Sequence, residues 1–297
     1  MIPCYNSAKT LGALLESIAK LAPPPREVIV VDDCSTDDSA AIAAGFADVT
    51  CLRTADNGGP SVSRNVGARH ARSELLLFID SDCEILTADC IAKHIQAHAG
   101  HPRSLVVGAV SSIAPDTYVG RANGYLQCFE NIPFRGSGKI KRAHEMPGMH
   151  FSVRRSDFEE IGGFDEELRA GEDALFHVCA QARGIKALRI GEAVVGHHDD
   201  HSAATIFCKY FNYGKTRLTM KAKGAYGWRS FLLPDSVILL SILAPLVTLG
   251  LTAKVVYSWL PWRPAVLLHA PLLLVYNLGF AGGAVACAWQ QRRSRRQ

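Results

Sequence analysis

The sequence predicts an α/β fold with a mostly parallel central sheet, followed by a hairpin of two membrane-spanning helices. Three observations carry this reading. Short apolar runs alternate with amphipathic helical segments through the first 200 residues; two of those runs end in acidic clusters; and two long stretches near the C-terminus carry no charge. Alternating strands and helices pair in parallel through right-handed crossovers, and such sheets bind ligands beyond the carboxyl ends of their strands.

The elements follow in order. Leu11, Leu14, Leu15, Ile18 and Leu21 recur at helical spacing over residues 8–21, and Pro23-Pro24-Pro25 ends that helix. Glu27–Val31 reads as a buried strand ending in Asp32-Asp33, and Ser35, Thr36 and Asp37 offer caps for a helix at about 38–46. A loop at Asn57-Gly58-Gly59-Pro60 opens a helix carrying Arg64, Asn65, Arg69 and Arg72, and the apolar strand Leu75–Ile79 ends in Asp80-Ser81-Asp82. Residues 134–147 are Gly-rich and basic (Arg135, Lys139, Lys141, Arg142), which predicts a mobile loop. A short helix from Arg154 closes at Gly162-Gly163, and Glu172-Asp173 opens another that runs to about Ala182.

After residue 200 the character changes. Residues 203–223 mix Ile206, Phe207, Tyr210 and Phe211 with Lys209, Lys215, Arg217 and Lys221, a pattern suited to a helix on a membrane surface, with Gly214 a potential break. Residues 236–253 and 265–289 are uncharged, and at about 1.5 Å per residue both can cross a ~30 Å hydrocarbon core. Lys221, Lys223 and Arg229 precede the first span and Arg292, Arg293, Arg295 and Arg296 follow the second, which predicts that both flanks are cytoplasmic. A pair of buried helices in a soluble domain is the alternative. The net charge of +4 is too small to argue for a nucleic-acid partner. Nine scattered cysteines without a Cys-x-x-Cys pair argue against a disulfide framework and against zinc sites of that type, and suit a reducing compartment. The opening Met-Ile-Pro-Cys-Tyr-Asn has neither the basic region nor the apolar core of a signal peptide.

Chemistry concentrates at a few positions. Asp80 and Asp82, two apart at the end of an extended segment, can point the same way and offer hard oxygens to Mg²⁺ or Mn²⁺. An acidic turn is the better account of an isolated Asp-x-Asp, but here a buried strand delivers these acids to the ligand-binding edge beside Asp32 and Asp33. Asp32 and Asp33 can accept hydrogen bonds from a base or ribose, or serve as turn and capping residues. Arg64, Arg69 and Arg72 can meet phosphates or stand as surface arginines. Glu172 and Asp173 are favoured at any helix start by the helix dipole. His197, His198 and His201 lie among Asp199 and Asp200 as a metal ligand or a polar turn.

Together these segments resemble family 2 glycosyltransferases of the GT-A fold, a nucleotide-diphospho-sugar transferase architecture. The resemblance rests on Ile2-Pro3-Cys4-Tyr5-Asn6, Val30–Asp37, Asn57-Gly58-Gly59 with Arg64-Asn65, Phe78–Asp82, Arg154-Arg155 with Ile161–Glu166, and Gly171-Glu172-Asp173. It implies inverting transfer from a nucleotide-diphosphate sugar with a divalent cation, Mn²⁺ or Mg²⁺. In that reading Pro3, Tyr5, Asp32, Asp33, Asn57, Arg64 and Asp80 hold the donor, Asp82 and His197 hold the metal, and Asp173 is the general base. Glu172, Lys139 and Arg142 would contact acceptor or phosphate.

The implied partners are the donor, a glycan or lipid-linked acceptor, and the membrane. The organisation is a catalytic domain at 1–200, a basic amphipathic segment at 201–230, two transmembrane helices within 231–289, and a basic tail at 290–297, with the catalytic domain and tail on the cytoplasmic side of the inner or plasma membrane. Two departures stand out. The family's first strand usually has several apolar residues before its Ile-Pro, whereas here the chain begins at Met1-Ile2, so either the strand is short or the start lies elsewhere. The Gln-x-x-Arg-Trp motif of processive synthases is absent, so one sugar per encounter is expected. A sugar nucleotidyltransferase, which would release pyrophosphate, and a non-catalytic nucleotide-sugar-binding membrane protein are the rival readings.

Overall fold

A computed structural model of the chain describes residues 1–113, 117–128, 138–143, 146–198, 202–223 and 236–294. It divides into two compact units: residues 1–111 with 133–198, and residues 112–132 with 199–297.

The first unit begins with three parallel strands, β1 (Ile2–Cys4), β2 (Val28–Asp32) and β3 (Val49–Arg53), in the order β1-β2-β3. Helices α1 (Leu11–Ala19), α2 (Ser39–Ala44) and α3 (Pro60–His70) connect and follow them. Leu11, Leu14, Leu15 and Ile18 form the buried face of α1, as their spacing predicts. β1 is only three residues long, yet it is flanked on both sides. It pairs with β2, and on the other side the Met1 amine donates to the Leu77 carbonyl at 3.0 Å while the Ile79 N–H donates to the Met1 carbonyl at 3.1 Å.

Leu77 and Ile79 belong to β4 (Leu75–Ile79), where the second sheet begins. The remaining elements of this unit are β5 (Cys83–Ile85), α4 (Cys90–Gly100), β6 (Ser104–Ile113, whose last two residues fall in the second unit), β7 (Ile140–Arg142), β8 (His150–Arg154), α6 (Arg155–Ile161), α7 (Glu172–Ala182) and β9 (Lys186–His198); α5 (Tyr118–Cys128) lies in the second unit. The sheet order is β4-β8-β6-β9-β5, with β7 added on β9. The β1–β2 and β2–β3 pairs are parallel, whereas β4–β8, β6–β8, β5–β9 and β7–β9 are antiparallel.

Strand β8 shows how the layers form. Its alternate residues Phe151 and Val153 enter a core with Phe78, Phe158, Phe164 and Phe176, whereas His150 and Ser152 contact the histidines of α4. Phe164 and Phe176 stack at 4.5 Å and Phe78 and Phe151 at 4.8 Å, so truncating any of these rings should cost about 3–5 kcal/mol.

Residues 140–142 are not a loop. Ile140 pairs with Ile190 and Arg142 with Leu188, so the free edge of β9 captures the segment. Arg135 lies outside the described residues, as do His201 and Arg229.

The second unit holds α8 (Ala203–Ala222), α9 (Val237–Trp259) and α10 (Val266–Ser294). Gly214 does not break α8. It lies where α10 approaches closely: a Cβ there would collide with the Phe280 carbonyl oxygen. The face carrying Ile206, Tyr210 and Gly214 is buried, and Tyr210 stacks on Tyr276 of α10. Helix α9 runs on through Lys254 to Trp259, beyond the uncharged stretch. Both α9 and α10 are long and apolar enough to cross a membrane, and only 28% of the most apolar window of α9 is buried within the protein.

Candidate active site

Strand β4 delivers Asp80-Ser81-Asp82 into a turn in which the Cys83 N–H donates to the Asp80 carbonyl at 3.1 Å. The two carboxylates take different partners, although the Asp82 charge still acts on Asp80. Asp80 Oδ1 accepts from Arg64 Nη2 at 2.7 Å, whereas Asp82 Oδ2 lies 3.3 Å from Nε2 of the buried His197 on β9. Two backbone hydrogen bonds fasten the turn: Asp80 N–H to the Met149 carbonyl at 3.1 Å, and His198 N–H to the Asp82 carbonyl at 2.8 Å.

Arg64 is 2% exposed, so it is not a free phosphate ligand. It bridges two acids, donating from Nη1 to Glu172 Oε1 and from Nη2 to Asp80 Oδ1, each at 2.7 Å, and its guanidinium lies 5.3 Å from the centre of the Phe164 ring. Burial opposes its charge, yet Asp80 and Glu172 outweigh that and hold its pKa above the usual value. Glu172 is likewise buried in this pair, not presented to an acceptor. Its place at the start of α7 owes as much to Arg64 as to the helix dipole.

Asp173, beside it, is half-buried. Its Oδ2 accepts from the Gly148 N–H at 3.0 Å and its Oδ1 from the Ala174 N–H at 2.7 Å. Loss of surrounding water and then the Glu172 charge push its pKa up to about 7, against the opposing pull of Arg64 and the two amides. Gly148 sits in tight quarters: a Cβ there would lie 3.0 Å from Arg64 Nη2 and 3.2 Å from Asp173 Cβ, so these neighbours would have to give by a few tenths of an ångström.

At the parallel edge, Asp33 is committed to the protein. Its carboxylate accepts from the Gly58 N–H (2.9 Å), the Gly59 N–H (2.7 Å) and the Thr54 hydroxyl (3.0 Å), which shapes the loop before α3. Gly59 holds a φ of 85° there, a conformation glycine adopts without strain. Asp32 is buried, accepts from the Ser35 N–H and pairs with Arg53 at 3.0 Å. Asn57 is held by Arg169, which donates to its side-chain oxygen at 2.8 Å and to its carbonyl at 2.7 Å. Pro3 is buried inside β1 and sets the position of Tyr5, which is 51% exposed beyond the strand end.

Lys139 and Arg142 are not brought to this site. Arg142 pairs with Leu188, nine positions before His197 on β9, or about 30 Å along an extended strand.

The Asp82–His197 pair fits a divalent cation. An imidazole nitrogen and a carboxylate oxygen 3.3 Å apart suit neighbouring ligands that each lie about 2.1–2.2 Å from one ion.

The family model for glycosyl transferase family 2 matches residues 1–162, more than half of the chain. The chain belongs to glycosyl transferase family 2. It is 30% identical over 174 residues to an uncharacterized glycosyltransferase of Haemophilus influenzae, covering 58% of each chain. It is 41% identical over 88 residues to the poly(ribitol-phosphate) beta-N-acetylglucosaminyltransferase TarS of Staphylococcus aureus, covering 28% of this chain and 15% of that one. Over 235 residues it is 26% identical to the succinoglycan biosynthesis protein ExoA of Rhizobium meliloti, covering 73% of this chain and 68% of the relative. The chain thus spans 58% and 15% of the first two relatives. Among solved structures it is similar to Staphylococcus aureus TarS 1–349 in complex with UDP (TM-score 0.54, 18% identity, 99% of this chain and 90% of that one). It is also similar to GalNAc-T7 with UDP, GalNAc and Mn²⁺ (TM-score 0.53, 19% identity, 66% and 43%). These two likenesses show the GT-A-like fold.

In this family member, sequence reasoning missed Gly148 and Arg169. Neither carries a local signal: Gly148 acts through its backbone, and Arg169 reaches a loop 112 residues away.

Proposed function

We propose that this glycosyltransferase moves a single sugar, with inversion, from a nucleotide-diphosphate sugar to a hydroxyl of a membrane-proximal or lipid-linked acceptor in cell-envelope or exopolysaccharide assembly. The observation that carries this reading is the carboxylate of Asp173, poised near pH 7 and joined through Glu172 and Arg64 to the Asp80–Asp82 turn. A base tuned near the working pH is what proton removal from a sugar hydroxyl requires.

Each Asp173 oxygen keeps a lone pair beyond the amide bond it accepts. Asp173 takes the acceptor proton as the hydroxyl oxygen bonds to the anomeric carbon. The bond from that carbon to the diphosphate oxygen breaks on the opposite face, and the proton later leaves to water. Arg64 holds Asp80 and Glu172 in place, and Asp33 holds the Gly58-Gly59 loop beside the donor. Asp82 and His197 would hold Mn²⁺ or Mg²⁺, which supplies positive charge to a departing diphosphate. Exposed Tyr5 offers a ring to the nucleotide base.

Helices α9 and α10 anchor the chain in the inner or plasma membrane, with the catalytic unit and basic tail cytoplasmic. The basic flanks and the exposed Ile242, Leu246 and Leu268 support this.

A thermal-shift panel of UDP-, GDP- and dTDP-sugars, with and without Mn²⁺, tests the donor side. The cognate donor at ~100 times its Kd should stabilise the native protein by about 2.7 kcal/mol. Asp82→Asn keeps the shape and loses the charge, so its shift should shrink and no longer respond to Mn²⁺. An unchanged Mn²⁺-dependent shift in that variant would remove Asp82 from the metal site.

A further inference from the structure

Behind the catalytic strands lies a second cluster that the transfer reaction does not use. Cys90 and His94 sit one helical turn apart on α4, His150 opens β8, and all three are buried. Their ligand atoms lie within 4.8 Å of one another. His94 Nε2 is 3.0 Å from His150 Nε2, and Cys90 Sγ is 3.5 Å from that same nitrogen.

We propose that Cys90, His94 and His150 form a buried structural site for a borderline-soft divalent cation of the zinc type, separate from the Asp82–His197 pair. Zinc-to-nitrogen bonds of about 2.0–2.1 Å and a zinc-to-sulfur bond of about 2.3 Å at tetrahedral angles separate two nitrogens by roughly 3.3 Å and a sulfur from a nitrogen by roughly 3.6 Å. The observed 3.0 and 3.5 Å fall close to both.

The outer contacts fit as well. His150 Nδ1 faces the Ala109 carbonyl at 3.4 Å and His94 Nδ1 faces Ser152 Oγ at 2.8 Å. Both rings can thus place their protons on the outer nitrogens and turn both Nε2 lone pairs inward, the arrangement that orients metal-bound histidines. The space for the His150 ring is built in: a Cβ on Gly108 of β6 would overlap it. Burial keeps the histidines neutral and the Cys90 thiol protonated in the empty site, so cation entry releases the thiol proton to solvent as the sulfur–metal bond forms.

The position gives the site a purpose. His150 follows Gly148, whose N–H holds Asp173, and Met149, whose carbonyl holds Asp80, so a cation here would pin the strand end that carries both.

The test is cobalt substitution of the full-length chain, expressed in cobalt-supplemented medium and purified in detergent. The read-outs are elemental content and the thiolate-to-cobalt charge-transfer absorption. The expected result is that band in wild type and in Asp82→Asn, its loss in Cys90→Ser and His94→Gln, and a higher melting temperature for loaded than for metal-free wild type. Folded, donor-binding wild type that carries no such band overturns the proposal. So does a band that persists undiminished in Cys90→Ser. If neither cluster variant folds, the wild-type spectrum and melting shift alone decide.

Discussion

Glu172 and Asp173 are adjacent acids with opposite fates. Glu172 spends its charge on buried Arg64, whereas Asp173 accepts from two amides and has its pKa pushed up to about 7 by burial and by the Glu172 charge. The reaction needs Asp173 ionised, so kcat/KM should rise with pH through about 7. The Glu172 charge is one of the causes that raise this pKa, so Glu172→Gln should move the midpoint to lower pH. A midpoint that stays put or rises would separate the two acids. The sequence placed both at a helix start, which the structure bears out. It could not tell which was paired, because Arg64 and Gly148 approach from 108 and 25 residues away.

At the scale of elements, α3 and α7 are tied to the β4 turn through one guanidinium. Removing it leaves buried Glu172 and half-buried Asp80 without their counter-charge, so Arg64→Met should destabilise the catalytic unit by about 3 kcal/mol. Adding Glu172→Gln should recover part of that loss, because the second charge no longer needs a partner. Denaturant unfolding of the two variants measures both effects, and purely additive losses would contradict the bridge. The strands β2 and β4 were legible because each is an apolar run ending in acids. Strand β8 was not, since His150 and Ser152 supply its second face with polar residues that pair with α4 histidines. Strand β7 was hidden for a related reason: Gly-rich, basic residues read as loop until the edge of β9 captures them. The Asp80–Asp82 segment was located correctly, but its conformation depends on Met149 and His198, which local sequence does not reveal.

For the whole molecule, the parallel half was foreseen and the antiparallel half was not. Alternation of strand and helix encodes the first, whereas pairings such as β4 with β8 join residues more than 70 positions apart. The apolar helices were the plainest signal, because length and absence of charge suffice. If α9 and α10 form a hairpin, a C-terminal tag and the catalytic unit should be equally accessible to protease on the cytoplasmic side of sealed vesicles; a tag protected when the catalytic unit is cleaved would leave a single span. The central claim is proton removal by Asp173 during transfer to an acceptor. Its most direct test is nucleoside diphosphate release from the cognate donor, with native membranes as acceptor, by wild type and Asp173→Asn, alongside donor binding. Asparagine keeps the size and one acceptor oxygen but cannot take a proton at neutral pH. The account predicts near-normal donor and metal binding with turnover reduced about 10²–10⁴-fold, or roughly 3–5 kcal/mol of transition-state stabilisation. Near-normal turnover in Asp173→Asn, or release of pyrophosphate in place of nucleoside diphosphate, would contradict it.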